Sequence, residues 1–143
     1  MSAGAVRTSG EVAASLAAAG IDHDTTTSLL EREPLTRDEL ERIVGAVAGL
    51  IADERVGAVY GSAPDVFGLL VASAVARRLG AALGVYGLAE GVIRCSPPGS
   101  GAAVAVIASR VDPEETAALD RVFARAGSTL VGIVTLTPEA ESR

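Results

Sequence analysis

Two short apolar runs in this chain each end on residues able to do chemistry. Val56–Gly61 leads into Tyr60, Gly61 and Ser62 and, past Ala63-Pro64, into Asp65; Ala103–Ala108 leads into Ser109 and Arg110. If both runs are strands of one parallel sheet, these residues share the edge at which open α/β sheets place ligands. A hydroxyl, a carboxylate and a guanidinium there suit a small metabolite, with the Arg110 fork able to hold a carboxylate. Each also has a structural reading: Gly61 as a tight turn, Ser62 or Asp65 as a helix cap, Arg110 as an ion-pair partner of Asp112 or Glu114. The two readings are compatible, because a capping residue can also line a crevice.

Other reactive side chains are sparse. The single cysteine, Cys95, follows Arg94 on a short strand, so the guanidinium alternates to the other face and the thiol reads as buried and inert. The single histidine lies in Asp22-His23-Asp24, which is either a carboxylate-steered base or a solvated loop. One Cys and one His are too few for a transition-metal site, so no metal and no cofactor are expected. All twelve basic residues are Arg, which excludes mechanisms that need a lysine ammonium. No nucleophile, base and orienting group can be named together, so the catalytic residues stay unknown and enzymatic status stays open.

Val106–Thr116 excludes a phosphate. The strand end is followed by Asp112 at an N-cap position, Pro113 at the first helical position, and Glu115 where a capping-box acid reaches back. An anion at a helix start needs free N–H groups and no competing carboxylate. A phosphate beside Asp112, Glu114 and Glu115 meets like charge at about 1 kcal/mol or more per pair.

Around these residues stands a single α/β domain spanning residues 1–143, with residues 1–9 and 138–143 as flexible tails. The net charge of −6 and the lack of a basic run argue against nucleic acid and anionic membrane. The longest apolar stretch, Val66–Ala76, is too short to span a bilayer and no secretory signal is visible, so a cytoplasmic protein is expected. Aromatics make up 3%, which leaves the core to Ala, Val, Leu and Ile.

Periodicity then gives the elements. Val12 and Leu16, four apart in an Ala-rich stretch, predict a short helix over Glu11–Ala19. Thr36-Arg37-Asp38-Glu39 is a capping box opening an amphipathic helix to about Asp53. Strands are predicted at Val56–Gly61, Ala82–Tyr86, Val92–Cys95, Ala103–Ala108 and Leu130–Leu136, with a loop at Pro97–Gly101. Helices are predicted over Asp65–Leu79 and Pro113–Ala126, each ended by a glycine. The first of these is apolar almost all round, which predicts burial by the sheet and by another subunit. Strands alternating with helices, two of them continuously hydrophobic, imply a parallel sheet flanked on both faces, a three-layer Rossmann-like arrangement.

From about Glu11 to Leu136 this order resembles the type I phosphoribosyltransferases, most closely the orotate phosphoribosyltransferase branch. The resemblance rests on Val59-Tyr60-Gly61-Ser62-Ala63-Pro64, the strand and turn that bind pyrophosphate in the family. It rests also on Leu70–Gly80, with its small-residue helix ending in Arg, Leu and Gly, and on the junction Ala126–Val134. The family signature for the phosphoribosyl donor aligns without a gap on Val106–Thr116. There its two acids fall on Ala108 and Ser109, its Thr-Thr-Gly falls on Asp112-Pro113-Glu114, and only Thr116 matches. The span equivalent to the family's basic mobile loop, Gly87–Gly101, holds Arg94 as its one base. The resemblance therefore implies a phosphoribosyltransferase-like fold, a homodimer, and a degenerate member that has lost phosphoribosyl transfer. Tyr60, Gly61, Ser62, Asp65, Ser109, Arg110 and Thr116 are the expected ligand-binding residues. The expected function is that of a pseudoenzyme: a non-catalytic protein binding a small metabolite, or a protein partner such as a pathway enzyme. The alternative is an enzyme with replaced acid–base or isomerisation chemistry in the old crevice.

Overall fold

A computed structural model describes residues 13–15, 36–89, 92–95 and 101–136. Six strands form one sheet in the order β1-β6-β5-β2-β3-β4. They are β1 (Ala13–Ser15), β2 (Ala58–Ser62), β3 (Ala82–Ala89), β4 (Val92–Arg94), β5 (Ala103–Ala108) and β6 (Thr129–Thr135). All neighbouring pairs are parallel except β3 with β4, which is antiparallel. The helices are α1 (Arg37–Ile51), α2 (Val66–Leu79) and α3 (Pro113–Arg125), and α1 runs into a 3-10 turn at Ala52–Glu54.

The hydrophobic pattern dictates the layers. On one face Ile43, Val47 and Ile51 of α1 and Val71 and Val75 of α2 pack on Val59, Ile107 and Val134. On the other, Leu119 and Phe123 of α3 pack on Tyr60, Tyr86, Val106, Leu130 and Ile133. Strict alternation along β2 and β5 sends successive side chains to opposite clusters. In β6 the alternation skips a beat. Leu130 pairs with Val104 but Gly132 pairs with Ala105, so Val131 is an extra residue in a bulge that resets the phase. Without it Ile133 and Val134 would exchange faces.

Each helix start follows its local chemistry. Thr36 Oγ1 accepts from Glu39 N–H at 3.1 Å and Glu39 Oε1 accepts from Thr36 N–H at 2.9 Å, so the expected capping box is formed. Asp65 caps α2, and Gly80 closes it in the left-handed region at φ 70°.

Several expectations change. Ala13–Ser15 is a strand, not part of a helix, and pairs in parallel with Ile133–Thr135 of β6. The open edge of β6 offers backbone partners to three small residues, and this tertiary pairing overrides Ala-rich helix propensity. The other residues of the expected first helix, the Asp22-His23-Asp24 stretch and both expected tails lie outside the described residues. Gly61 is a strand residue rather than a turn. A Cβ there would lie 2.8 Å from Leu69 Cδ1 and 3.1 Å from its Cα, so glycine permits the close approach of α2. Helix α2 is buried where it meets the sheet and α1, and in the single chain Val66 stays 68% and Leu70 62% exposed.

Candidate functional site

Strand β2 lies between β3 and β5, so the chain leaves β2 and β5 toward opposite faces of the sheet. This is the topological switch point, where diverging loops open a crevice at the C-terminal strand ends. Ser62, Asp65, Ser109 and the first turn of α3 all lie at this edge.

Asp65 stitches the crevice together. Its Oδ1 accepts from Gly68 N–H at 3.0 Å and from the Ser109 hydroxyl at 2.7 Å, and its Oδ2 accepts from Ser109 N–H at 2.6 Å. One carboxylate thus takes a donor from the start of α2 and two from the residue just past β5. Gly68 makes room for it, since a Cβ there would run into the Asp65 carboxylate and lie 3.1 Å from Ala108 Cα. The cap and crevice roles foreseen for Asp65 are one and the same arrangement.

The start of α3 is capped by its own residues. Asp112 Oδ1 accepts from Glu115 N–H at 2.8 Å, Pro113 occupies the first turn, and Thr116 Oγ1 donates to the Asp112 carbonyl at 3.1 Å. The Glu115 side chain departs from expectation. Instead of returning to the Asp112 backbone, its Oε2 accepts from the Tyr86 hydroxyl at 2.7 Å. Tyr86 is fully buried, its hydroxyl proton is held firmly, and its pKa stands well above the ordinary 10.0. Burial is the largest cause, followed by the Glu115 hydrogen bond and the negative charges of Glu115 and Asp65; the nearby Ser62 hydroxyl works in the opposite direction.

The expected residues separate into two groups. Ser62, Asp65 and Ser109 come together at the crevice, with Arg110 exposed beside them and without an ion-pair partner among the described residues. Tyr60 and Gly61 belong to the interior. The Tyr60 ring is 3% exposed, meets Phe123 edge-on at 5.0 Å between centroids, and rests on Gly84, where a Cβ would collide with it. Burial also raises the Tyr60 pKa, with Cys95 adding to it, and burial raises the Cys95 thiol in turn. A half-buried thiol held in its protonated form is a poor nucleophile. Thr116 serves the helix start. Tyr86 and Glu115 were missed by sequence reasoning, and the available signals were weak: a Tyr on a glycine-punctuated strand, and a Glu with two possible partners.

Among the described residues no three His, Cys, Asp or Glu side chains are placed to hold a metal ion. No described helix is long and apolar enough to cross a membrane. An open groove of about 540 Å³ lies elsewhere, between α1 and α2, with Leu40, Glu41, Val44, Leu70, Arg77 and Arg78 in its lining.

No family model and no curated protein matches the chain. Solved structures do. A purine phosphoribosyltransferase from Pyrococcus horikoshii Ot3 superposes with a TM-score of 0.51 at 18% identity, covering 73% of this chain and 86% of that one. A hypothetical protein from Neisseria gonorrhoeae with bound ppGpp superposes with a TM-score of 0.53 at 17% identity, covering 76% of each. At such identities the likeness concerns the fold. The chain has a phosphoribosyltransferase-like α/β fold, with its polar residues gathered at the switch point.

Proposed function

We propose that this protein binds a small metabolite at the switch-point crevice without using phosphoribosyl pyrophosphate. The observation that carries the reading is the Asp65 carboxylate, which already holds the Gly68 and Ser109 donors. An incoming phosphate would have to displace a carboxylate from backbone N–H groups, beside Asp112, Glu114 and Glu115. The signature alignment supports the same reading, because the positions of the donor-binding acids are Ala108 and Ser109. The Neisseria protein was solved with a small nucleotide, which supports metabolite binding on this fold. In this reading the protein is a non-catalytic relative that kept the architecture, and orotate need not be its ligand.

A thermal-shift panel tests it, with phosphoribosyl pyrophosphate plus magnesium, orotate, nucleobases, nucleosides and ppGpp. The expected result is no shift with phosphoribosyl pyrophosphate or ppGpp and a shift with at least one unphosphorylated member. Formation of a nucleotide from phosphoribosyl pyrophosphate and any base would overturn it. A panel without any shift would move the reading to capture of a protein partner.

Replaced acid–base chemistry is the second reading, and Tyr86 with Glu115 beside Ser62 favours it. If an activity is found, it should fall on Asp65→Asn, Arg110→Ala or Glu115→Gln; indifference to all three would end this version. The homodimer is also proposed, through the α2 face that leaves Val66 and Leu70 exposed. Sedimentation should give a dimer that Leu70→Glu dissociates.

A further inference from the structure

Helix α2 runs against the strands, so its two ends serve opposite edges of the sheet. It starts past the C-terminal end of β2 with Asp65 and stops at Leu79, just before β3 begins at Ala82. Its last turn carries Arg77 and Arg78, at the edge opposite the crevice. Both line the open groove of about 540 Å³ between α1 and α2.

The hydrogen-bonding capacity of these two forks is unspent. Arg78 Nη1 approaches Glu41 Oε1 at 3.8 Å, with both side chains more than half exposed; this is an ion pair, but too long for a hydrogen bond. The Arg78 guanidinium lies over α1 at Gly45, where a Cβ would stand 3.6 Å from Nη1. Arg77 has no ion pair among the described residues. Both charges complement the negative end of the α2 dipole, a role that uses none of the N–H donors of either fork.

The rest of the lining is mainly apolar: Leu40, Val44, Leu70 and Ala74, with Ser73 and Glu41 as the other polar groups. Along α2 it passes from Leu70 and Ala74 to Arg77 and Arg78, from apolar to cationic. Small-ligand clefts of about 300–1,000 Å³ have this make-up, apolar walls with a few polar groups that fix orientation. A planar carboxylate matches an arginine fork, whereas a dianion would meet Glu41 with twice the charge.

We infer that the α1–α2 groove binds a monocarboxylate with an apolar body, such as a medium-chain fatty acid. Its carboxylate lies on the Arg77 fork and its chain on Leu40, Val44 and Leu70. This site is separate from the switch-point crevice and does not rest on the metabolite reading there. It shares only Leu70 with the proposed dimer face, so the test leaves Leu70 untouched.

Matched eight-carbon probes test the inference: octanoate, octylammonium and 1-octanol, each titrated calorimetrically into the wild-type protein below its micellar concentration. Octanoate should bind with a Kd of about 1 mM or tighter, and the other two at least about tenfold more weakly. The net charge of −6 favours the ammonium, so a preference for octanoate reports the local forks. Arg77→Gln should weaken octanoate about five- to tenfold and leave octanol within about twofold, since the apolar lining is kept. Glu41→Gln should tighten octanoate about two- to threefold, because it releases Arg78 and removes a like charge. Octanol binding as tightly as octanoate, octanoate indifferent to Arg77→Gln, or octanoate not tightened by Glu41→Gln would overturn the inference. Loss of octanoate binding on Arg110→Ala would place the acid at the crevice and overturn it too. Absence of octanoate binding at millimolar concentration would overturn it while leaving the metabolite reading intact.

Discussion

Helices α2 and α3 both begin one loop beyond the C-terminal end of a core strand, and both are capped by an aspartate. Their carboxylates are used differently. The cap of α2 reaches sideways, so that Asp65 joins its own helix to Ser109 at the end of the neighbouring strand β5. The cap of α3 stays local, and it is the third helical residue, Glu115, that reaches across to Tyr86 on β3. One start is a strut through its cap, the other through its first turn. A helix N-terminus can bind an anion because its N–H groups are free. Here side chains of the same protein take that role, and the difference lies in which strand each start is tied to.

Breaking the α2 strut should cost most. Asp65→Ala removes the cap and both Ser109 bonds, and a loss of about 2–4 kcal/mol is expected by denaturant unfolding. Asp65→Asn keeps part of the cap and should cost less. Gly68→Ala presses a methyl group against the Asp65 carboxylate and Ala108, so about 1–3 kcal/mol should be lost although no hydrogen-bonding group is removed. A neutral Gly68→Ala would mean that the two strand ends are not held closely together.

The α3 strut should cost less and show a pH signature. Tyr86→Phe should lose about 1–2 kcal/mol at neutral pH, because half-buried Glu115 can be rehydrated. The Tyr86 pKa is raised on folding, so above the unfolded value near 10.0 the unfolded chain releases a proton that the native protein keeps. The Tyr86 contribution should be flat from neutral pH to about pH 9 and fall as pH rises past 10, with the raised Cys95 thiol and Tyr60 adding to the fall from about pH 9 upward. Unfolding curves at pH 8 and pH 10.5 should show that fall, and Tyr86→Phe should flatten its steeper part. Smallest is the local cap: Asp112→Ala should lose about 1 kcal/mol. If Asp112→Ala cost as much as Asp65→Ala, the contrast between a local and a bridging cap would collapse.

The same contrast explains what could be read beforehand. Positions at strand ends are legible, because apolar runs with period 2 and helices with period 3.6 give both their own limits and the edge they share. The placing of Ser62, Asp65 and Ser109 at that edge followed from it, while the caps Thr36 and Asp112 were read from residue type and the cap of α2 was left between Ser62 and Asp65. Tyr60 was assigned to the crevice because it lies near the C-terminal end of its strand, yet alternation along β2 and the Gly84 opposite it turn its ring into the α3-side core. The pairing of Tyr86 with Glu115 spans 29 positions and depends on how α3 lies on the sheet, which no local pattern encodes. Nor could Ala13–Ser15 be read as a strand, since its partner is the far edge of β6.

The central claim is that the switch-point donors are held by Asp65 rather than left for an anion. A double-mutant cycle on Asp65→Ala and Ser109→Ala measures it most directly, by denaturant unfolding of the wild type, both single variants and the double variant. A coupling of about 1–2 kcal/mol is expected, since the Ser109 hydroxyl loses its charged partner in one single variant and is itself lost in the other. Additive losses, with coupling indistinguishable from zero, would contradict the account and return those donors to the crevice.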